Sequence, residues 1–107
     1  MKYSIIINPN SKLSYASSHA FDFISAILEN DEHFVHVFFY GYAVKHAFFN
    51  SDDWFKISNK NISLKACSTV AETYLLKKLE VLPHFKLAGL GQWMDSVLKA
   101  NKRIEFS

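Results

Sequence analysis

The chain has 107 residues, half of them hydrophobic, with 12 Lys and Arg against 10 Asp and Glu. This length predicts one domain over residues 1–107, and the composition excludes a disordered chain. A net charge of +2 gives no basic footprint for nucleic acid or a membrane surface, and no apolar run approaches the roughly 20 residues of a membrane-spanning helix. One cysteine excludes an internal disulfide, so we expect a soluble, cytoplasmic protein.

The first half of the chain predicts two strands that alternate with helices. Tyr3–Ile7 is a short β-branched run, which is typical of a buried strand. Ser14–Glu29 carries apolar residues at three- and four-residue steps and predicts a helix. Phe34–Tyr40 predicts a second strand. Ala43–Phe49 and Trp54–Ile57 predict two short helical segments.

The third strand and the helix after it contain the only cysteine. Ile62–Cys67 alternates between apolar and polar residues and predicts a strand. Thr69 and Glu72 have the spacing of a capping box, so we expect Thr69 to be the N-cap of the next helix. The apolar stripe of that helix consists of Val70, Ala71, Tyr74, Leu75 and Leu79.

The C-terminal part predicts a last strand–helix–strand unit. Phe85–Ala88 is a short extended piece, and a helix opens at Gly89-Leu90-Gly91. Its apolar stripe consists of Leu90, Trp93, Met94, Val97 and Leu98. Arg103–Phe106 predicts an edge strand. Five strands alternating with helices predict an α/β sandwich of the flavodoxin or Rossmann type, with a mainly parallel five-stranded sheet and helices on both faces.

The position of Cys67 makes it the first candidate for chemistry. Reactive groups in parallel sheets gather beyond the carboxyl ends of the strands, and Cys67 ends the third strand directly before a helix. The free N–H groups of a helix start favour a thiolate, the nucleophilic form of cysteine. Lys65 shares the strand face with Cys67 and adds a positive charge. The alternative is an inert cysteine that packs as a small hydrophobe.

The remaining motifs give weaker indications of a functional site. Gly89-Leu90-Gly91 lacks the third glycine of a dinucleotide-binding turn, so a tight turn that brings helix and strand together is the preferred interpretation, with a small-ligand site as the alternative. No two histidines have the H-x-x-x-H spacing, and we expect no metal ion. Asp52-Asp53 has the pattern of a solvated turn. The many aromatic residues indicate apolar surface for a partner chain.

The order of these segments resembles a known family. The residues that carry the resemblance are the paired serines of Ala16-Ser17-Ser18, the strand end Val37-Phe38-Phe39-Tyr40, the strand end Lys65-Ala66-Cys67, the stretch Phe85-Lys86-Leu87-Ala88-Gly89-Leu90-Gly91 and the final Arg103-Ile104-Glu105-Phe106. Together they resemble the DsrE/TusD family of bacterial sulfur-relay proteins over essentially the whole chain. Two stretches are shorter than in TusD-like relatives: the one before Cys67 and the one before Phe85.

The resemblance implies a DsrE-like fold and a sulfurtransferase activity without metal or organic cofactor. Cys67 matches the family position that accepts sulfur as a persulfide and passes it to the next carrier, toward 2-thiouridine in tRNA or toward sulfur oxidation. We expect Lys65, Ser68 and Thr69 to stabilise the persulfide anion. The implied partners are sulfur-donor and sulfur-acceptor proteins, together with further copies of the chain or related subunits. The alternative within this fold is a non-catalytic assembly subunit with Cys67 buried.

Overall fold

A computed structural model describes residues 1–49, 51–74 and 76–107 as one five-stranded parallel sheet with helices. The strands are β1 (Lys2–Ile7), β2 (Phe34–Phe39), β3 (Ile62–Cys67), β4 (Lys86–Ala88) and β5 (Lys102–Phe106). Their order is β4-β3-β2-β1-β5, and every neighbouring pair is parallel. The predicted α/β class is therefore confirmed, and the predicted edge strand is β5. Within the described residues, no helix has the length and apolar character needed to span a bilayer.

Within the described ranges, four α-helices and two 3-10 helices connect the strands. They are α1 (Ala16–Ile27), η1 (Gly41–Ala47), α2 (Asp52–Ile57), α3 (Ser68–Thr73), η2 (Leu76–Lys78) and α4 (Leu90–Lys99), of which η1 and η2 are 3-10 helices. Helix α1 is shorter at both ends than the predicted Ser14–Glu29. The prediction of a short helix after β2 is confirmed, although it winds as a 3-10 helix.

The start of α3 differs from the prediction. The helix begins at Ser68 with Cys67 in the N-cap position, and no side-chain hydrogen bond caps it. The predicted capping box at Thr69 is therefore wrong, because the chain turns from strand to helix without an intervening loop. Leu79, predicted to be buried, has 45% of its surface exposed, since α3 already ends at Thr73. Leu75 of the predicted stripe lies outside the described residues.

One face of the sheet, here called the sealed face, carries α1, η1, α2 and α3. Its strand residues are apolar at alternate positions and almost fully buried, as with Ile5, Val37 and Phe39. The Phe39 ring makes edge contacts with Trp54 of α2 at 5.0 Å and with Phe85 at 4.9 Å. Three successive connections lead the chain in one direction across the sheet, and right-handed crossovers place them all on this side.

The opposite face, here called the open face, is crossed by α4 alone. The β4–β5 connection runs back over the whole sheet and therefore lies on this side. Trp93 stacks on Phe38 at 5.7 Å, and the Ser96 and Ser4 hydroxyls lie 3.2 Å apart. No residue of α4 is fully buried. The predicted apolar stripe is thus only half covered, since Leu90, Met94 and Leu98 are exposed.

The turn at Gly89 is not a close approach of backbone to backbone. A Cβ atom at Gly89 or Gly91 would meet no atom within 4 Å, and Gly89 has an extended backbone with φ −87°. The predicted tight turn is confirmed, since Gly89 alone separates β4 from α4, but no close contact requires a glycine at either position. The Gly89 N–H donates to the Gln92 side chain at 3.2 Å, which gives α4 half of a capping box.

Candidate thiol site

Cys67 lies at the carboxyl edge of the parallel sheet. It is the last residue of β3, is aligned with Ala88 of β4, and directly precedes the first turn of α3. Its backbone is still extended, with φ −65° and ψ 119°, so strand and helix meet at this residue. The sequence prediction of a cysteine at the strand end, next to a helix start, is confirmed.

The Cys67 side chain is completely buried in the isolated chain. Its exposed fraction is 0%, and it belongs to the main hydrophobic core. The free thiol therefore occupies a position that a small hydrophobic residue also fills well. Any reaction of this thiol requires that a neighbouring element first move away.

Helix η1 is the element outside the sheet that packs against both β3 and α3, the two elements that meet at Cys67. Three of its residues, Ala43, Val44 and Ala47, are buried. Gly41 opens it with φ +58°, where a Cβ atom would lie 2.8 Å from the Asn8 Oδ1 atom. This left-handed conformation favours glycine and lets the chain leave β2 sharply toward the edge of the sheet.

Two partly exposed contacts fasten η1 to the end of α3. The rings of Tyr42 and Tyr74 stack with their centroids 6.3 Å apart and their planes 8° from parallel. The Lys45 ammonium lies 5.9 Å from the centroid of the Tyr74 ring. Tyr74 is therefore the residue through which η1 is held against α3 on the surface of the molecule.

The predicted helper residues lie near Cys67 but do not bind its sulfur. Lys65 is half-buried two positions earlier on β3, Ser68 is half-buried in the first turn of α3, and Thr69 is exposed. Among the described residues, none of the three makes a hydrogen bond to the thiol. Since α3 has only six residues, its dipole adds little to the stabilisation of an anion at Cys67.

A polar depression beside η1 was not identified from the sequence. It has a volume of about 280 Å³ and is lined by Ser17, Ser18, Phe21, Asp22, His46, Asp53 and Trp54. Burial lowers the pKa of His46 below its usual value of 6.5. These residues come from α1, η1 and α2, so spacing within one segment gives no signal of their convergence. Within residues 1–49, 51–74 and 76–107, no three His, Cys, Asp or Glu side chains are grouped to hold a metal ion.

Comparisons with known proteins agree on the fold. A family profile described as "DsrE/DsrF-like family" matches residues 1–106. The crystal structure of the YchN protein from E. coli superposes with a TM-score of 0.90 at 16% identity, over 99% of each chain. The structure of MTH1491, a protein of unknown function from Methanobacterium thermoautotrophicum, superposes with a TM-score of 0.77 at 12% identity, over 97% of each chain. No protein of curated function matches the sequence.

Proposed function

The chain belongs to the DsrE/DsrF-like family, and from this premise we propose that it is a sulfur carrier that accepts sulfur as a persulfide on Cys67. The observation that carries the proposal is the place of its only thiol. Cys67 lies at the carboxyl edge of the parallel sheet, where β3 passes directly into α3. Reactive groups of open α/β sheets gather at this edge.

One thiol is sufficient for the transfer of a sulfur atom. The Cys67 thiolate attacks the outer sulfur of a donor persulfide, a new S–S bond forms, and the donor thiolate leaves. In the second step an acceptor thiolate attacks the outer sulfur of the Cys67 persulfide, and the Cys67 thiolate is the leaving group. One S–S bond breaks for each one formed, so the exchange needs no oxidant, metal or organic cofactor.

The burial of Cys67 adds a condition to this proposal. We infer that η1 moves away from α3 before a donor reaches the sulfur. The stack of Tyr42 on Tyr74 and the Lys45 contact together contribute about 1 kcal/mol at this partly exposed site. A seven-residue 3-10 helix also has poorer hydrogen-bond geometry than an α-helix. Opening this one segment therefore costs less than unfolding the domain.

A second function is favoured by the same burial. With 0% exposure, Cys67 also suits a non-catalytic subunit of a sulfur-relay assembly, in which the thiol is a packing residue. The two functions differ in one measurable property, which is whether the folded protein exposes the thiol more often than it unfolds.

The partners and pathway follow from the sulfur-carrier proposal. The carrier exchanges sulfur with donor and acceptor proteins in the cytoplasm, where thiols stay reduced, toward tRNA thiolation or sulfur oxidation. We propose that it works as an oligomer or with related subunits. Leu90, Met94 and Leu98 of α4 support this, since 49%, 45% and 74% of their surfaces are exposed at four-residue steps.

The test is to load the folded protein with sulfur. We expect that incubation with glutathione persulfide adds about 32 Da, the mass of one sulfur atom, to Cys67 in an intact-protein mass spectrum. Cys67→Ser and Cys67→Ala should both stay unmodified. The alanine variant is included because a serine hydroxyl in this core finds no hydrogen-bond partner, whereas alanine leaves only a small cavity.

The opposite outcome identifies the structural subunit. If the native protein takes up no sulfur, while the same chain in denaturant does, the thiol is chemically competent but closed in the folded state. The carrier proposal is then wrong for the isolated chain. If a serine variant gains the same mass, the assignment of the sulfur to Cys67 is wrong.

A further inference from the structure

The open face of the sheet carries a polar groove beside α4, on the side of β2, β3 and β4. Alternation along β3 directs Ser63 and Lys65 to this face. Ser63 is aligned with His36 of β2, and Lys65 is aligned with Lys86 of β4. Helix α4 covers the neighbouring strands through Trp93 and Ser96. The strip of sheet between α4 and the β4 edge is left accessible.

Two adjoining depressions form this groove, here called the lysine groove. The first, of about 480 Å³, is lined by Ile62, Ser63, Leu64, Lys65, Pro83, His84, Lys86, Leu87 and Gln92. The second, of about 270 Å³, is lined by Lys2, His36, Lys65, Gln92, Asp95, Ser96 and Lys99. Lys65 and Gln92 belong to both, so they mark the centre of the groove.

The charge in the lysine groove is strongly positive. Four lysines line it, Lys2, Lys65, Lys86 and Lys99, against the single carboxylate of Asp95. Asp95 is already paired with the Lys99 ammonium at 3.0 Å. Within the part of the chain that the structure describes, the other three lysines make no ion pair. The whole chain carries only +2, so its excess positive charge is concentrated here.

Two of these lysines are aligned on adjacent strands. Lys65 and Lys86 are direct register partners on adjacent strands, whose backbones lie about 4.8 Å apart. Like charges at directly opposed positions destabilise a sheet. Lys65 is also only half exposed, so water screens its charge incompletely. A bound anion between the two ammonium groups removes this repulsion.

Uncharged donors complete the lining. The Gln92 carbonyl Oε1 accepts the Gly89 N–H at 3.2 Å, which leaves the Gln92 amide NH₂ group for a ligand. Ser63 adds a hydroxyl group. We propose that the lysine groove binds a small oxyanion of the phosphate or sulfate class, held by Lys65 and Lys86 and oriented by Gln92 and Ser63. This proposal does not depend on the chemistry proposed for Cys67.

The titration of His36 agrees with a positive field at this place. Its pKa is lowered below 6.5 by burial first, then by the charges of Lys65 and Lys2. The groups that face His36 are Lys2 on β1, Lys65 on β3, and Asp95 and Lys99 on α4. An anion between the lysines opposes two of the causes of this lowering, so anion binding raises the pKa of His36.

The size of the groove favours a small anion over a nucleic acid. Proteins that bind a duplex typically neutralise roughly 6–10 phosphates along an extended basic surface. Here four lysines line the two adjoining depressions, with at most three in either one, and Lys99 is already paired. Charge-assisted hydrogen bonds from two or three of them suit a single tetrahedral dianion.

The test is an NMR titration of the full chain with phosphate and, separately, sulfate, at an ionic strength held constant with sodium chloride. We expect saturable shifts of the His36 ring signals, assigned with His36→Gln, and a rise in the pKa of His36. Lys65→Gln and Lys86→Gln should each weaken binding about tenfold or more. Lys60→Gln, at an exposed lysine in the turn before β3, is the matched control and should leave the affinity unchanged.

Further variants and controls decide the proposal. Cys67→Ala should bind the anion as the wild type does, so a failure of sulfur transfer leaves this test intact. A response that does not saturate, or that chloride reproduces, overturns the proposal. So does a double variant, Lys65→Gln with Lys86→Gln, that folds by circular dichroism and still binds with unchanged affinity. A preference between phosphate and sulfate identifies which oxyanion the groove selects.

Discussion

The sealed face of the sheet packs under α1, η1, α2 and α3, whereas among the described helices only α4 crosses the open face. Both faces are built from the same strands, so the difference lies in which alternate positions carry apolar residues. On β1, Ile5 faces the sealed side with 0% exposure, and Ser4 faces α4. On β3, Leu64 is buried while Lys65 lines the lysine groove. One face therefore stabilises the fold, and the other is free to carry charge.

The edge of the sheet at Cys67 and the lysine groove also differ in the chemistry that they permit. Cys67 is closed off at the carboxyl edge and becomes reactive only when a segment moves. The lysine groove is accessible without any movement, since it is an open depression on the surface. A buried thiol and an open charged groove therefore require different experiments.

The largest expected effect is a difference between two neighbouring isoleucines of β1. Ile5→Ala removes a fully buried side chain from the sealed face and should lower the free energy of unfolding by about 3–4 kcal/mol. Ile6→Ala, at the half-buried position on the open face, should lower it by only about 1 kcal/mol. Urea denaturation followed by circular dichroism measures both. If the two variants lose the same free energy of unfolding, the division into a sealed and an open face is wrong.

A smaller effect concerns η1, the segment that we propose moves to expose Cys67. Tyr74→Ala removes the ring stack with Tyr42 and the Lys45 contact, which together contribute about 1 kcal/mol at this partly exposed site. We expect the rate of Cys67 alkylation by iodoacetamide in the native protein to rise about fivefold. Tyr15→Ala, at an exposed tyrosine before α1, is the matched control and should leave that rate unchanged.

The dependence on denaturant shows which motion exposes the thiol. Opening η1 uncovers little surface, so low concentrations of urea should hardly change the rate of alkylation. Global unfolding uncovers the whole core and gives a steep dependence on urea. A steep dependence in both the wild type and the Tyr74→Ala variant means that η1 is not the cover that moves.

Much of the fold could be predicted from the sequence because its signals are local. The structure places β3 at Ile62–Cys67, as the alternation of apolar and polar residues predicts. The parallel sheet follows from the repeated strand–helix order. The position of Cys67 at a strand end required only the boundary of that strand. These inferences depend on neighbours along the chain, which the sequence displays directly.

The features that the sequence did not predict come from contacts between distant segments. Thr69 has the spacing of a cap, but the direct turn at Cys67 makes the helix begin two residues earlier in the chain. The complete burial of Cys67 is a property of the folded core, which no pattern near the cysteine records. The lysine groove joins residues as far apart as Lys2 and Lys99. Lysines on separate segments can be recognised as parts of one groove only after the topology is known.

The smallest expected effect is a difference between two histidines in how their pKa values respond to one substitution. His36 lies on the open face, and His46 lies on the sealed face. The pKa of His46, whose ring contacts Phe39 on the sealed side, is lowered by burial alone. The pKa of His36 is lowered by burial and also by Lys65 and Lys2. Lys65→Gln should therefore raise the pKa of His36 while it stays below 6.5, and leave that of His46 unchanged. NMR titration of the ring signals measures both.

The same substitution predicts a change in stability with pH. A histidine whose pKa is lower in the folded state than in the unfolded chain binds fewer protons when folded, so stability is complete above pH 6.5 and falls as the pH drops toward the folded pKa. Lys65→Gln reduces the difference between the pKa of His36 in the folded protein and its pKa in the unfolded chain. The variant should therefore lose less stability than the wild type between about pH 7 and pH 5. Equal losses, or equal shifts at His36 and His46, mean that the charge of Lys65 does not reach His36. The lysine groove then lacks the electrostatic field on which anion binding depends.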